Sequence, residues 1–383
     1  MPRRGKSRGP GGLAALPEEI LQEILIRLPV KSVLRCRDVC RGWRRLTTDP
    51  AFLVAHHRHQ PTLVLGNARN SFYPYCLDAV HLQTAERRPG YWPDKYIIFH
   101  SSCDGLLVTD DGVICNPATR QLVPFLKSSE QLVGLYQHQP SGEYRVLFWR
   151  SSSIPSEVYC ANDYCVRTVG SKRRRIIPCS ITPVLEELIT GKGPTIRDAP
   201  VTLHGNLYVH WQNQFDGRYH RILVFDTVAE SLRQMSPPVV NPQHVMQLFD
   251  MDGTLAASSS KVNMTTELRI FALLDYKREV WSFQFRIKLP VMEIRRFQEQ
   301  GDWLAKIVSG QCDVFVSCFG WLLHCDRTGN LLAKYRYDDD LPVVIPLGFK
   351  ESLIQHTLFQ KLPDLQPQAH LSDPVEQFLL CKQ

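Results

Sequence analysis

No stretch of this sequence approaches the ~20 consecutive apolar residues of a membrane-spanning helix, and no two of its 12 cysteines form a Cys-x-x-Cys pair. The first absence argues against a membrane partner, and the second removes the zinc-finger frameworks. A nucleophile elbow, a His-Glu-x-x-His helix and a phosphate-binding glycine loop are missing too, so the commonest enzyme signatures have no carrier. A broad basic surface is also lacking. The net charge is +7, yet Arg3, Arg4, Lys6 and Arg8, with the run Lys172, Arg173, Arg174, Arg175, exceed that excess by themselves. The rest of the chain is close to neutral. A nucleic-acid-binding face calls for spread basic charge with interleaved aromatics, so no nucleic-acid partner is expected.

The two basic runs have local readings. Residues 1–13 are basic and rich in Gly and Pro, with no acid before Glu18, and read as a flexible leader. The Lys172–Arg175 run fits a nuclear localisation signal as well as a solvated loop between strands. The expected compartment is the nucleus, the cytoplasm or both, where free thiols are the ordinary state. Cys312, Cys318, His324 and Cys325 are metal-ligand types close in sequence. Their flanks, DVFVSC and WLLHC, are strand-like, so they read as core residues, and neither metal nor cofactor is expected. His56, His57 and His59 read as surface histidines where a helix passes into a strand.

What the sequence does have is concentrated first in Leu16–Phe52, LPEEILQEILIRLPVKSVLRCRDVCRGWRRLTTDPAF. Pro17 fits a first helical residue, and Glu18 and Glu19 suit the positive end of a helix dipole. Ile20, Leu21, Ile24, Leu25 and Leu28 recur at helical spacing. Pro29 ends that helix. Val30, Val33 and Leu34 open a second one, with Ser32 as a local cap. Val39, Cys40, Trp43 and Leu46 give a third stripe, which Asp49-Pro50 breaks. Three short helices this apolar cannot bury their surface among themselves. Units below about 40 residues need disulfides, metal or association to hold together, so the segment reads as half of an interface.

These residues resemble the F-box motif. Its landmarks are Leu16-Pro17, Ile24-Leu25, Leu28-Pro29, Val39-Cys40 with Trp43, and Asp49-Pro50 with Phe52. The resemblance implies docking on a Skp-type adaptor, and through it on a cullin and a RING subunit of a ubiquitin ligase. It places the adaptor-facing residues at Leu16, Pro17, Ile20, Ile24, Leu25, Leu28, Val39, Cys40 and Trp43, some of which must pack the helices together instead.

Beyond about residue 60 the helical stripes vanish. Short alternating runs such as YRVLFWR (Tyr144–Arg150), NLYVHW (Asn206–Trp211), RILVFD (Arg221–Asp226) and VWSFQFRI (Val280–Ile287) end in Gly, Asp, Asn or Pro turns, which points to an all-β sandwich, barrel or propeller. A glycine turn leading into an apolar strand recurs at Gly105, Gly205, Gly253 and Gly320, and a polar turn follows each, in NPATRQ, DTVAES, DYKRE and DRTGN. The spacing suggests a unit near fifty residues, the kelch-like range for propeller blades. The segment Met292–Trp303 looks like a charged, helix-like insertion. Six or seven blades fit the length, and a non-repeating double sheet is the alternative.

SCDGLLV, NPATRQ, GEYRVL and LHGNLYVHW with ILVFDTVAESLRQMSPP resemble the F-box-associated domain of large plant F-box families. The match is good over about Ser101–Pro238 and looser to about Tyr337. The blade around Ile154–Arg175 departs by showing no glycine signature, and the tail from His356 has no counterpart.

The sequence therefore divides into a leader (1–13), an F-box (14–58), a kelch-like β-propeller (62–358) and a tail (359–383). The resemblance implies a non-catalytic substrate receptor for an unknown target protein. Exposed loop aromatics are the candidates for target contact: Tyr73, Tyr75, Tyr91, Trp92, Phe215 and Tyr219. The rival readings are a scaffold that binds the adaptor without ubiquitination, and a propeller enzyme using turn acids such as Asp110, Asp111, Asp216, Asp250 and Asp252.

Overall fold

The computed structural model describes residues 16–68, 76–89, 99–109, 112–119, 121–125, 130–152, 161–177, 198–212, 220–241, 243–261, 264–299, 301–337 and 341–359. The leader 1–13 and all of the tail except residue 359 lie outside the described residues.

The N-terminal part holds four helices: α1 (Glu18–Leu25), α2 (Val30–Cys36), α3 (Arg41–Thr48) and α4 (Pro50–His59). Three were expected. The fourth arises because Asp49-Pro50 starts a helix as well as ending one. The Asp49 carboxylate accepts the N–H groups of Ala51 and Phe52 at 2.9 and 3.1 Å, and Pro50 supplies a preset first helical φ with no N–H to orphan. Two caps also differ from expectation. Pro17 sits just before α1 rather than within it, and Ser32 lies inside α2, which Pro29 precedes without any side-chain cap.

The remainder is a six-bladed propeller of four-stranded antiparallel sheets. Blade 2 is β4 (Phe99–Cys103), β5 (Leu106–Thr109), β6 (Val113–Asn116) and β7 (Gln121–Pro124). Blade 3 is β8 (Glu130–His138), β9 (Glu143–Ser152), β10 (Ala161–Thr168) and β11 (Arg174–Ile176). Blade 4 is β12 (Val201–Leu203), β13 (Asn206–Gln212), β14 (His220–Asp226) and β15 (Ser231–Met235). Blade 5 is β16 (His244–Met251), β17 (Thr254–Lys261), β18 (Glu267–Asp275) and β19 (Val280–Lys288). Blade 6 is β20 (Leu304–Ile307), β21 (Val314–Cys318), β22 (Trp321–Cys325) and β23 (Leu331–Arg336). Blade 1 closes the ring by joining β1 (Leu63–Ala68), β2 (Cys76–His81) and β3 (Glu86–Pro89) to the C-terminal β24 (Val343–Phe349), which pairs antiparallel with β1.

Each strand alternates its side chains, so each blade has two apolar faces, and a separate core fills every gap between neighbours. Blades 5 and 6, for example, share Leu268, Ile270, Ile287, Val314, Val316 and Leu323. Between β19 and β20 the helix-like insertion takes the form of a single turn, α5 (Val291–Ile294), whose Ile294 is buried with Trp303 in that core.

The glycine turns fall out of register with the repeat in one blade. Gly105, Gly205 and Gly253 join the first and second strands of their blades, but Gly320 joins the second and third strands of blade 6. It therefore sits at the opposite end of its blade, and the long spacing from Gly253 combines this offset with the insertion. In blade 3 the turn glycine is Gly142, after a longer hairpin than the repeat pattern anticipates.

In an up-and-down blade the first and third turns share one end, and the second turn and the crossing to the next blade share the other. The helices sit at the first of these ends, against blade 2.

Candidate functional site: an exposed apolar row on a braced helical head

Helix α1 divides its apolar residues between two faces. Leu21 and Leu25 point inward, with Leu25 only 1% exposed. They meet Ile26, Val30, Val33, Leu46, Phe52 and Leu53. Ile20 and Ile24, one turn apart, remain 49% and 40% exposed, and Leu16 and Pro17 continue the row before the helix starts. Exposed isoleucines at i and i+4 lie one above the other, so the row is a ridge and not scattered apolar surface. Val39, 64% exposed, and Cys40 lie in the turn between α2 and α3. Cys40 caps α3 by accepting the Trp43 N–H at 3.4 Å.

The remaining three of the expected adaptor-facing residues are placed otherwise. Leu25 is a core residue, because the 3.6-residue period turns it inward beside Leu21. Leu28 and Trp43 are half-buried against the same core. Arg45 on α3 pairs with Glu18 on α1 at 3.1 Å, an exposed contact that adds no more than about 1 kcal/mol.

His56 was expected on the surface and is fully buried. Its Nε2 lies 2.9 Å from the Leu28 carbonyl, which also accepts from the Gln60 amide at 3.2 Å. The pair satisfies a carbonyl left open where Pro29 ends the helical turn. Burial pushes the His56 pKa below its ordinary value. The signal in the sequence is the spacing Phe52, His56, Gln60, which keeps one face of α4 inward.

After β24 the chain crosses back under the head as a strap. Leu353 enters the helical core with Ile354 beside it, and Ala118 of blade 2 touches the same cluster. The Ser352 carbonyl accepts from the Asn116 amide at 3.2 Å, His57 Nδ1 donates to the Glu351 carbonyl at 3.0 Å, and Lys350 Nζ donates to the Arg58 carbonyl at 3.2 Å. Ser352 also lies directly over Gly105, where φ is +81° and a Cβ would meet the Ser352 Cβ at 2.1 Å. No other residue type fits that turn.

His356 continues the strap, 3% exposed, edge-on to Tyr144 at 5.0 Å. Neither ring nitrogen makes a well-formed hydrogen bond among the described residues, although the Asp104 backbone lies close to the ring, and the Asp104 carboxylate accepts the Tyr144 hydroxyl at 2.8 Å. Burial pushes the His356 pKa down to about 4. The folded state thus refuses a proton that the unfolded chain accepts near pH 6.5. Stability is complete above that value and falls as pH drops toward 4, by about 2 kcal/mol at pH 5 from this group alone. Urea midpoints at pH 7.5 and 5.0 should show the loss. His356→Phe, which keeps the edge-on packing, should remove much of the difference.

The cations of the Lys172–Arg175 run do not form one free patch. Lys172, Arg173 and Arg174 are exposed, but Arg175 pairs with the buried Glu230 of blade 4. Glu230 also holds Arg145 at 2.7 Å and accepts the Tyr136 hydroxyl at 2.6 Å, so part of the run latches blade 3 to blade 4. Cys312, Cys318 and Cys325 lie in the core between blades 5 and 6. His324 faces the other side of β22, 3.1 Å from Asp313. The four do not converge, and burial pushes the Cys318 and Cys325 thiols up to about 12.

Tyr73, Tyr75, Tyr91, Trp92, Phe215 and Tyr219 lie outside the described residues, as do Asp110, Asp111 and Asp216. The described residues that flank the six aromatics are Ala68 and Cys76, Pro89 and Phe99, and Gln212 and His220. All of them are strand ends on the side of the propeller away from the helical head.

Comparison with known proteins agrees with this division. Residues 13–59 match the F-box-like family model, and residues 59–328 match that of the F-box associated beta propeller domain. An F-box/LRR-repeat protein of Arabidopsis thaliana is 24% identical over 88% of this chain and 80% of its own length. A putative F-box protein of the same plant is 24% identical over 74% of this chain and 75% of its own. A third, described as an F-box protein, is 33% identical over 34% of this chain and 37% of its own. With four helices at its head and six blades behind them, the chain belongs to the plant-type F-box proteins that carry an F-box associated beta propeller domain.

Proposed function

We propose that this protein is the substrate-recognition subunit of an SCF (Skp–cullin–F-box) ubiquitin ligase. The α1 row docks on the Skp-type adaptor, and the propeller presents a target protein for ubiquitination and degradation. The observation that carries this reading is the exposed ridge of Leu16, Ile20 and Ile24 on a helix whose other face is fully packed. A monomer has no reason of its own to hold three large aliphatics in line toward water, and such a ridge matches an apolar groove on a helical partner. Val39 and Cys40 would extend the contact.

In this role the chain breaks and makes no bonds. It raises the effective concentration of a target lysine near the conjugating enzyme, while catalysis and the cullin and RING contacts belong to other subunits. Target capture falls to the end of the propeller away from the head, because the head and strap already cover part of the near end at Gly105 and Ala118. The protein works in the nucleus, the cytoplasm or both.

Binding of the purified chain to a recombinant Skp-type adaptor tests the reading. Ile20→Asp and Ile24→Asp should each weaken binding at least a hundredfold, since a carboxylate buried in an apolar groove is left without a partner. Both side chains are exposed in the free chain, so circular dichroism and the unfolding midpoint should barely change. Wild-type adaptor affinity in both variants would refute the docking face.

A further inference from the structure

Blade 5 carries a strip of cations at the end away from the head. His244 on β16 is the cross-strand partner of Lys261 on β17. Two residues before Lys261, on the same face, Ser259 pairs with Arg269 of β18, and Arg269 pairs in turn with Arg286 of β19. Glu267 and Lys288 form the neighbouring pair between β18 and β19. Side chains opposite one another, or two residues apart along a strand, share a face. Lys261, Arg269, Arg286 and Lys288 therefore project together, whereas Leu268, Ile270 and Ile287 point the other way into the core shared with blade 6.

Among the described residues one carboxylate serves this face. Glu267 lies 3.3 Å from Arg269 and 3.7 Å from Arg286, so four cations face one carboxylate among the described residues. Lys261 and Lys288 have no ion-pair partner among the described residues. Asn241, His244, Lys261, Thr266, Glu267 and Arg269 surround a cleft of about 370 Å³. The His244 pKa is pushed down first by burial and then by the charges of Arg269 and Lys261, as expected where the local potential is positive.

We infer that this strip is a docking site for an acidic, extended segment of the target protein, recognised through several carboxylates in succession. The inference rests on the receptor reading above and specifies the chemistry of the target. Two strand spacings of ~4.8 Å carry the cations from β17 to β19 across about 10 Å of blade, the length of roughly three extended residues. Charge spread over that distance suits several single carboxylates better than one concentrated dianion. A strip confined to a single blade is also short for a nucleic-acid track, which needs many phosphate contacts to bind.

The test uses the full chain and fluorescence anisotropy with a labelled eight-residue peptide of alternating Glu and Ser. A Gln/Ser version, a phosphoserine/Ser version and oligouridylate are measured beside it. Wild type should bind the Glu peptide saturably, with the Gln peptide at least tenfold weaker. Lys261→Glu with Arg269→Glu should lower the affinity at least tenfold, and Arg286→Gln with Lys288→Gln by a smaller factor. Lys172→Ala with Arg173→Ala removes cations at the opposite end of the propeller and should change nothing.

Equal loss in that last variant, or retained binding by Lys261→Glu with Arg269→Glu, would overturn the inference. So would binding of the phosphoserine peptide or oligouridylate without the Glu peptide. Adaptor binding, measured on the same preparations, separates this failure from failure of the receptor reading, because the α1 row lies on a different part of the chain.

Discussion

Leu353→Asp is expected to release the helical head from the propeller while the six blades stay folded. Leu353 is 2% exposed and belongs to the same core as Leu25, Val33 and Phe52. A carboxylate there is taken out of water, and Arg37, which lines the same cleft, already donates to the Thr47 carbonyl at 2.9 Å; a poorly paired buried charge costs about 3–5 kcal/mol. Leu353→Ala should cost less, about 3 kcal/mol, since it leaves a cavity but no charge. The strap's side-chain hydrogen bonds to the head and blade 2 among the described residues are the three with Asn116, His57 and Arg58, each a net gain of only about 1 kcal/mol. They do not make up the loss.

The variant should therefore unfold in two urea steps where wild type shows one. Limited proteolysis should cut first between Gln60 and Leu63, the short link between α4 and β1. The adaptor should still bind, because Ile20 and Ile24 face away from the strap, but target ubiquitination should fall once the two functional ends lose their fixed relation. A single transition at the wild-type midpoint would show that the strap does not brace the head.

That brace explains where sequence reading succeeded and where it stopped. The α1 helix was legible because a single 3.6-residue period governs it, but Ile20, Leu21, Ile24 and Leu25 read as one stripe, and only packing against Val33 and Phe52 separates the inward Leu21 and Leu25 from the outward Ile20 and Ile24. Blade architecture was legible from turn chemistry, since Gly105, Gly205 and Gly253 all occupy the same hairpin with positive φ. Three things stayed hidden because each depends on residues far apart in the chain. His56 reads as polar, and although its spacing with Phe52 and Gln60 puts it on the inward face of α4, the partner it meets there, the Leu28 carbonyl, lies 28 residues away. Gly320 repeats the local pattern at a different turn of its blade. The strap has no periodicity at all, because its residues 350–356 pack one by one against α4, blade 2 and the helical core.

The basic strip has the same character. Lys261, Arg269, Arg286 and Lys288 are scattered singly over 28 positions of sequence, and the four-residue cation run within the propeller is Lys172–Arg175, which the fold partly neutralises with Glu230. Strand register brings the four together. A search for basic clusters along the chain therefore finds the wrong end of the propeller.

Trp303→Ala should be the most destabilising single change within the propeller. Trp303 is wholly buried in the core between blades 5 and 6 and is the largest fully buried side chain among the described residues. Its indole N–H donates to the Thr265 carbonyl at 2.8 Å. Truncation removes the ring and opens a cavity, which costs about 3–5 kcal/mol. It also orphans the Thr265 carbonyl, which adds about 1 kcal/mol or more where water does not reach it. A drop of about 5 kcal/mol in the unfolding free energy is expected. Trp303→Phe keeps most of the packing and loses the hydrogen bond, so it should cost about 2 kcal/mol.

The two variants also separate packing from positioning. The Thr265 hydroxyl donates to the Lys261 carbonyl at 3.1 Å, so the indole props the segment that carries one cation of the basic strip. Trp303→Phe should therefore weaken the Glu peptide several-fold even at temperatures where the fold is intact. Adaptor binding, proposed above to use α1 at the other end, should be unchanged. If peptide affinity follows global stability alone, with no loss in Trp303→Phe well below its melting point, then Trp303 packs the core without holding the strip in place.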